Sequence, residues 1–339
     1  MEKSMSNSSI CDLLRIAARR TLRWDFRIWG FGESIALRGL LAAFKVLQDR
    51  EFLGFVEGVI RSWTRRTANL THADHAAPGF ELLEVYDLTG DTDYFDAAGA
   101  LAQLWLRFPE GAAACRLHRP DLSGWSRQIW VDCLHVDPAF LARLGVLTRD
   151  IRWIEEAEQM LLVYARLLQE TSNGLFWHGY EMNAGRNGQP WARGNGWALL
   201  GLVDTIPTLD RAQRDTSRLR EITQSLARGL ERYQSSTGLW HTVVTEPGTY
   251  EESTLAVAVA YAFERAFDTG VLCREEFCAC QQHARNAVLP LINDRGELQL
   301  VSEATPIGDL HNYATRQFGV YPWGQGMLLQ MLAQEAQSL

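Results

Sequence analysis

Carboxylates, histidines and one arginine sit where apolar helical patterns begin in this chain. Asp132 lies in "QIWVDCLHVDP" (128–138), hemmed by Ile129, Trp130, Val131, Cys133 and Leu134. Such an apolar setting raises a carboxyl pKa and suits a proton donor. Asp74 lies in "THADHAAPG" (71–79) beside His72 and His75, and is expected to stay ionised. Two carboxylates in unlike surroundings are the pattern of an acid and a base. Either can also be read as a helix N-cap, since an aspartate ahead of a helix accepts a backbone N–H.

The stretch "QPWARGNGWALL" (189–200) sets Arg193 between Trp191 and Trp197, with glycines beside it and an apolar run after it. It reads as a helix N-terminus presenting a cation and two aromatic faces, the glycines permitting close approach. A structural alternative has Arg193 capping a neighbour and the tryptophans in the core. Further candidate acids and bases are Asp137, Glu181, Glu251 and Glu252, with His75, His135, His178 and His311 nearby. Histidines at 72 and 75 have a metal-ligand spacing, but no HExxH completes a set, so no metal is expected. Neither a phosphate-binding glycine loop nor a GxSxG elbow is present.

These groups need a scaffold, and helical periodicity supplies it. Apolar patterns cover about 9–22, 32–48, 51–66, 78–90, 92–107, 132–148, 151–169, 195–208, 214–234, 252–268, 274–292 and 324–337. One set is small and apolar nearly all round, as in "ESIALRGLLAAF" and "STLAVAVAYAF". The other carries the charges, as in "RDTSRLREITQSLARGLERY". The first kind is buried and the second faces water. Six of each, alternating, predict an all-α chain: an (α/α)6 barrel of six inner and six outer helices, one domain over 1–339.

The lead-ins "GLFWHGYE", "GLWHTVVTE" and "GELQLVSE" predict short β-strands at one mouth. Nine of the twelve tryptophans lie in such lead-ins or at inner-helix starts, where a carbohydrate cleft would want flat aromatic faces. Six helix N-termini at one mouth favour an anionic ligand.

Composition narrows the partners. The chain has 339 residues, 47% hydrophobic and 22% charged, with a net charge of −8. No basic stripe for nucleic acid is visible, and no long uninterrupted apolar run suggests a membrane span. With no recognisable secretory signal, the expected location is cytoplasmic. The six cysteines show no paired CxxC spacing and are expected to be free buried thiols.

Five stretches resemble the unsaturated rhamnogalacturonyl hydrolases, family 105 of the glycoside hydrolases, close to the unsaturated glucuronyl hydrolases of family 88. They are "ADHAAPGFELLEVYDLTGD", "QIWVDCLHVDPAFLARLGVLTRD", "FWHGYE", "WARGNGWALLGLVD" and "GLWHTVV" followed by "YEESTLAVAVAYA". The Arg-Gly-Asn-Gly-Trp run is the most specific and favours family 105. The resemblance implies the same barrel and removal of a 4,5-unsaturated uronic acid, most simply galacturonyl, from the non-reducing end of a short anionic oligosaccharide.

It also implies Asp132 as general acid/base and Asp74 as the second carboxylate. His178 matches the pocket histidine, and Arg193 and Trp197 the substrate-binding pair. Trp191, Trp29, Trp125 and Trp323 are added as aromatic faces for sugar. No cofactor is implied. One stretch departs from the family pattern: His135 and Asp137 in "CLHVDP" stand where relatives carry small or apolar residues, a departure that bears on linkage and partner sugar. Two other readings use the same barrel, a sugar 2-epimerase working through histidines and a non-catalytic carbohydrate-binding protein.

Overall fold

The computed structural model describes residues 7–26, 30–64 and 74–338. Trp29 and His72 lie outside the described residues.

The small, apolar set forms the inner ring. Chain order alternates α1 (Asn7–Thr21), α2 (Phe31–Leu47), α3 (Arg50–Thr64), α4 (Gly79–Thr89), α5 (Thr92–Trp105), α6 (Cys133–Thr148) and α7 (Ile151–Leu168). It continues through α8 (Ala192–Arg211), α9 (Ser217–Arg232), α10 (Thr254–Asp268), α11 (Arg274–Val288), the short α12 (Leu310–Ala314) and α13 (Pro322–Ser338). Neighbouring inner helices touch in the cycle α2, α4, α6, α8, α10, α13 and back to α2, which closes an (α/α)6 barrel.

Glycine makes two of those contacts close enough. A Cβ on Gly326 of α13 would stand 2.2 Å from the Ile35 carbonyl of α2, and one on Gly201 of α8 would stand 1.9 Å from that of Leu134 on α6. Outer helices bury one stripe: α9 buries Leu219, Ile222, Leu226 and Leu230 and leaves its arginines outward. The turns between paired helices carry true caps. Asp91 accepts from Asp93 N–H at the start of α5, and Asp150 from Arg152 N–H at the start of α7.

Short antiparallel strands precede the inner helices. β1 (Gln128–Trp130), β2 (Gly179–Glu181) and β3 (Gly185–Arg186) pair in that order, with Ile129 opposite Tyr180. β4 (Trp240–His241) pairs with β5 (Glu251–Glu252), and β6 (Val301–Ser302) with β7 (Phe318–Gly319). Each predicted lead-in contributes one strand, shorter than its alternation suggests.

Two elements differ from expectation. α8 begins at Ala192, so Arg193 lies inside its first turn. α12 spans five residues, too few for periodicity to register. Among the described residues no helix is long and apolar enough to cross a membrane.

Candidate active site

Asp132 sits at the N-cap of α6, but its side chain makes no capping bond. The backbone aims it elsewhere. Val131 N–H donates to the His178 carbonyl across the β1–β2 pair at 2.9 Å, which brings residue 132 alongside the histidine. Asp132 Oδ2 then lies 3.3 Å from His178 Nε2. Both atoms are buried and lack an aligned hydrogen-bond partner among the described residues.

His178 is fully buried, and its Nδ1 lies 2.6 Å from the Tyr313 hydroxyl. Asn187 Nδ2 donates to that same hydroxyl at 2.9 Å. Tyr313 therefore turns its own hydrogen to Nδ1, which leaves the imidazole hydrogen on Nε2, toward Asp132. Burial pushes the His178 pKa down, opposed by Asp132, so the ring is a neutral donor.

Asp74 caps a different helix from the one it precedes. Its Oδ2 accepts from the backbone N–H of Phe31, the first residue of α2, at 3.2 Å. The Asp74 carboxyl is shifted upward, first by burial and further by Asp132, against the Phe31 N–H, Arg119 and His75. Desolvation therefore outweighs the neighbouring cation and histidine in setting the direction. Its Oδ1 lies 3.8 Å from Nε2 of His118, whose pKa burial and neighbouring cations push well down. His118 stacks on Trp130 at 4.3 Å between ring centroids.

Arg193 crosses the mouth from α8 to the β5 and β6 lead-ins. Nη1 donates to Ser302 Oγ (2.6 Å), Ser302 O (3.1 Å) and Glu252 Oε2 (3.2 Å), and Nη2 to Glu303 O (2.8 Å) and Thr305 Oγ1 (3.3 Å). Its guanidinium is buried over Trp191 at 4.3 Å and near Trp323 at 5.3 Å. The glycines after it admit protein: a Cβ on Gly194 would meet Val131, and one on Gly196 would meet Ala258.

The aromatic candidates divide by exposure. Trp191 and Trp197 are buried; Trp191 leans on His178 at 4.3 Å, and Trp197 stacks on His135 at 5.2 Å and meets Phe31 edge-on at 5.0 Å. Trp125 and Trp323 are half-buried, Trp125 against Trp130 and Trp323 stacked on Tyr321. Trp29 is outside the described residues.

Of the remaining candidates, Glu252 is buried as the partner of Arg193, Asp137 is buried against His75, and His135 is held neutral by burial at about 3. Glu181 and Glu251 lie on strands at the rim, and His311 is exposed on α12. Sequence reasoning missed His118 and Tyr313. Each is a lone residue in irregular or very short structure, "CRLHRPDLSGW" and "LHNYATRQF", where spacing carries no signal.

None of the six cysteines is in a disulfide; Cys115, Cys133 and Cys280 are buried as expected, whereas Cys273 is exposed and Cys11 and Cys278 are half-buried. Among the described residues, side chains of the types that bind metals converge once. His75, His118 and Cys133 place their polar atoms within 4.8 Å of one another. Both nitrogens of His75 already face protein partners, Asp137 and Leu117 O.

A family model described as Glycosyl Hydrolase Family 88 matches residues 11–339. The unsaturated rhamnogalacturonyl hydrolase YesR of Bacillus subtilis (strain 168) is 23% identical over 323 residues, covering 93% of this chain and 91% of that protein. A possible member of the GH105 family from Salmonella enterica serovar Paratyphi A superposes with a TM-score of 0.90 at 21% identity, covering 100% of this chain and 96% of that one. The unsaturated glucuronyl hydrolase of Bacillus sp. GL1 superposes with a TM-score of 0.76 at 16% identity, covering 96% and 95%. Both families named on the sequence resemblance recur among these matches. With the family match running almost end to end, the chain belongs to Glycosyl Hydrolase Family 88.

Proposed function

We propose that this glycosidase removes a 4,5-unsaturated galacturonyl residue from the non-reducing end of short oligosaccharides made by polysaccharide lyases, by hydrating the C4=C5 bond. The observation that carries the reading is Asp132 Oδ2, buried at the mouth, unpartnered and 3.3 Å from a histidine N–H. The C4=C5 bond of an unsaturated uronate is an enol ether. Protonated Asp132 delivers its proton to C4, and positive charge develops at C5 and the ring oxygen. The aspartate, now ionised and steadied by His178 Nε2–H, accepts a proton from the water that adds at C5. The hemiketal so formed opens, and the hemiacetal left at C1 expels the next sugar.

Asp74 is the second carboxylate, next to the unsaturated ring. Arg193 contributes positive charge to the wall of the cavity and, with the N-termini of six inner helices, favours the uronate. Trp125 and Trp323 offer their faces to sugar, while Trp191 and Trp197 hold His178, Arg193 and Phe31 in place. Trp29 is kept from the sequence resemblance as a further aromatic face for sugar. No cofactor enters the scheme. The reading takes residues 1–339 as one catalytic domain, with six cysteines outside any disulfide suiting a reducing cytoplasm.

The test is a panel of unsaturated disaccharides from pectin, glycosaminoglycan and algal lyase digests, followed by ultraviolet absorbance. Hydration destroys the conjugated double bond; an epimerase or a binding protein leaves it intact.

A further inference from the structure

The buried pair Asp137 and His75 takes no part in the steps above, yet it is bonded to the segments that carry Asp74, His118 and Asp132. His75 Nδ1 lies 2.6 Å from Asp137 Oδ2. Asp137 also accepts from the backbone N–H of Ala76 at 3.0 Å and from the indole N–H of Trp105 at 2.8 Å. His75 Nε2 lies 3.2 Å from Leu117 O and 3.2 Å from Cys133 Sγ. Three residues of this cluster are next in the chain to a site residue: His75 follows Asp74, Leu117 precedes His118, and Cys133 follows Asp132. His75 holds φ at 55°, in the left-handed region that few non-glycine residues adopt. Such an outlier marks a position the surroundings have constrained.

Counting donors and acceptors assigns the protons. Leu117 O can only accept, so His75 Nε2 carries a hydrogen. Asp137 Oδ1 accepts from Ala76 N–H and Oδ2 from the Trp105 indole, and a hydrogen on His75 Nδ1 adds a third donor to that carboxyl. Burial lowers the His75 pKa but Asp137 outweighs it and raises it, the direction of an imidazolium against a buried carboxylate. Cys133 sulfur, facing a charged N–H, has two acceptors for its own hydrogen, the Tyr164 hydroxyl and His118 Nδ1, 3.5 Å away; in the second arrangement His118 accepts. The hydrogen of neutral His118 is then on Nε2, the nitrogen nearest Asp74.

We propose that His75 is a positioning residue for the reaction: with Asp137 and Cys133 it ties together the segments carrying Asp74, His118 and Asp132, and it sets His118 to present an N–H to Asp74. The kinetic arm of the test rests on the hydrolase reading; the spectroscopic arm rests on the fold alone.

The spectroscopic arm is ¹⁵N NMR of histidine-labelled protein without ligand. At neutral pH, His75 should show two protonated nitrogens and His118 the neutral Nε2–H form, the two assigned by His75→Asn and His118→Gln. Asparagine tolerates the left-handed backbone at 75. In Asp137→Asn and in Cys133→Ala, His118 should become a mixture of tautomers. Cys133→Ser keeps a donor and should keep the Nε2–H signature. On an unsaturated disaccharide, Asp137→Asn and His75→Asn should lower kcat about tenfold or more with KM within about twofold. Cys133→Ser should retain more kcat than Cys133→Ala.

A neutral His75 in the wild type would overturn the proposal. So would an unchanged His118 signature in Cys133→Ala, equal kcat in the two Cys133 variants, or stoichiometric zinc on the purified chain, because a metal on these nitrogens would replace the protons. Should Asp137→Asn not fold, the two Cys133 variants decide. If the wild type turns over no unsaturated uronide, the hydrolase reading fails by itself, and the NMR signatures still decide this one.

Discussion

Asp132 Oδ2 and His178 Nε2 stand 3.3 Å apart at the mouth of the barrel, both buried and neither with an aligned hydrogen bond among the described residues. A carboxylate with no structural duty, beside a donor whose tautomer is set from behind by Tyr313 and Asn187, is available to move a proton.

Replacing that acid should leave the fold and remove the chemistry. Asp132 caps nothing with its side chain, so Asp132→Asn should unfold at a temperature close to wild type while turnover falls about 10²- to 10⁴-fold. Turnover above a tenth of wild type would assign the proton to another group.

Arg193 should behave as a brace as well as a charge. Its Nη groups are bonded to Glu252, Ser302, Glu303 O and Thr305. Arg193→Gln strands the buried Glu252 carboxylate, and breaking such a pair costs about 3–5 kcal/mol. Lysine cannot reproduce the two-pronged contact and should be damaging too. Adding Glu252→Gln to Arg193→Gln should restore part of the stability in chemical denaturation. No restoration would mean that the pair is not what holds the lead-ins together.

Glu81 should give stability a pH slope. Burial pushes its carboxyl up to about 7, offset in part by Arg38 and the Ser34 hydroxyl. The native state thus holds this proton more tightly than the unfolded chain does. Its contribution is fully present below the ordinary glutamate pKa and is lost as pH rises toward 7, by about 3 kcal/mol. Glu81→Gln keeps an acceptor for Ser34 and has no proton to lose. Denaturation midpoints of wild type and variant should diverge as pH rises through this window; parallel curves would contradict the assignment.

Inner-ring packing should be intolerant at α8. A methyl group on Gly201 would stand 1.9 Å from the Leu134 carbonyl, two residues beyond Asp132. Gly201→Ala should destabilise by at least the about 1–3 kcal/mol of ordinary overpacking. It should also lower activity, because α6 must shift. An unchanged melting temperature would show that α6 and α8 are further apart than described.

The barrel was legible because its signal is local and repeated. Buried helices such as α10 are apolar all round, outer ones such as α9 carry one stripe, and most expected bounds lie within three residues of those found. Candidate positions were legible where a charged residue interrupts the apolar start of an inner helix, as with Asp132 and Arg193. What was not legible depends on distance along the chain. Asp74 is bonded to Phe31, 43 residues away, and Arg193 to Ser302, 109 residues away. The balance of influences on Asp74 could not be read from its neighbours in sequence, because burial, set by remote segments, is the largest of them. His118 enters the site by stacking on Trp130, a contact no spacing announces.

Hydration at C4 and C5 is tested most directly by turnover of an unsaturated disaccharide in D₂O with rapid quenching. Proton delivery to C4 requires that the first product formed carry one deuterium at C4, on a single face, with loss of ultraviolet absorbance no later than release of the next sugar. Ordinary attack at the anomeric carbon would release that sugar first and leave an unsaturated uronate without deuterium at C4; that result would contradict the assignment of Asp132 as the acid that protonates the double bond.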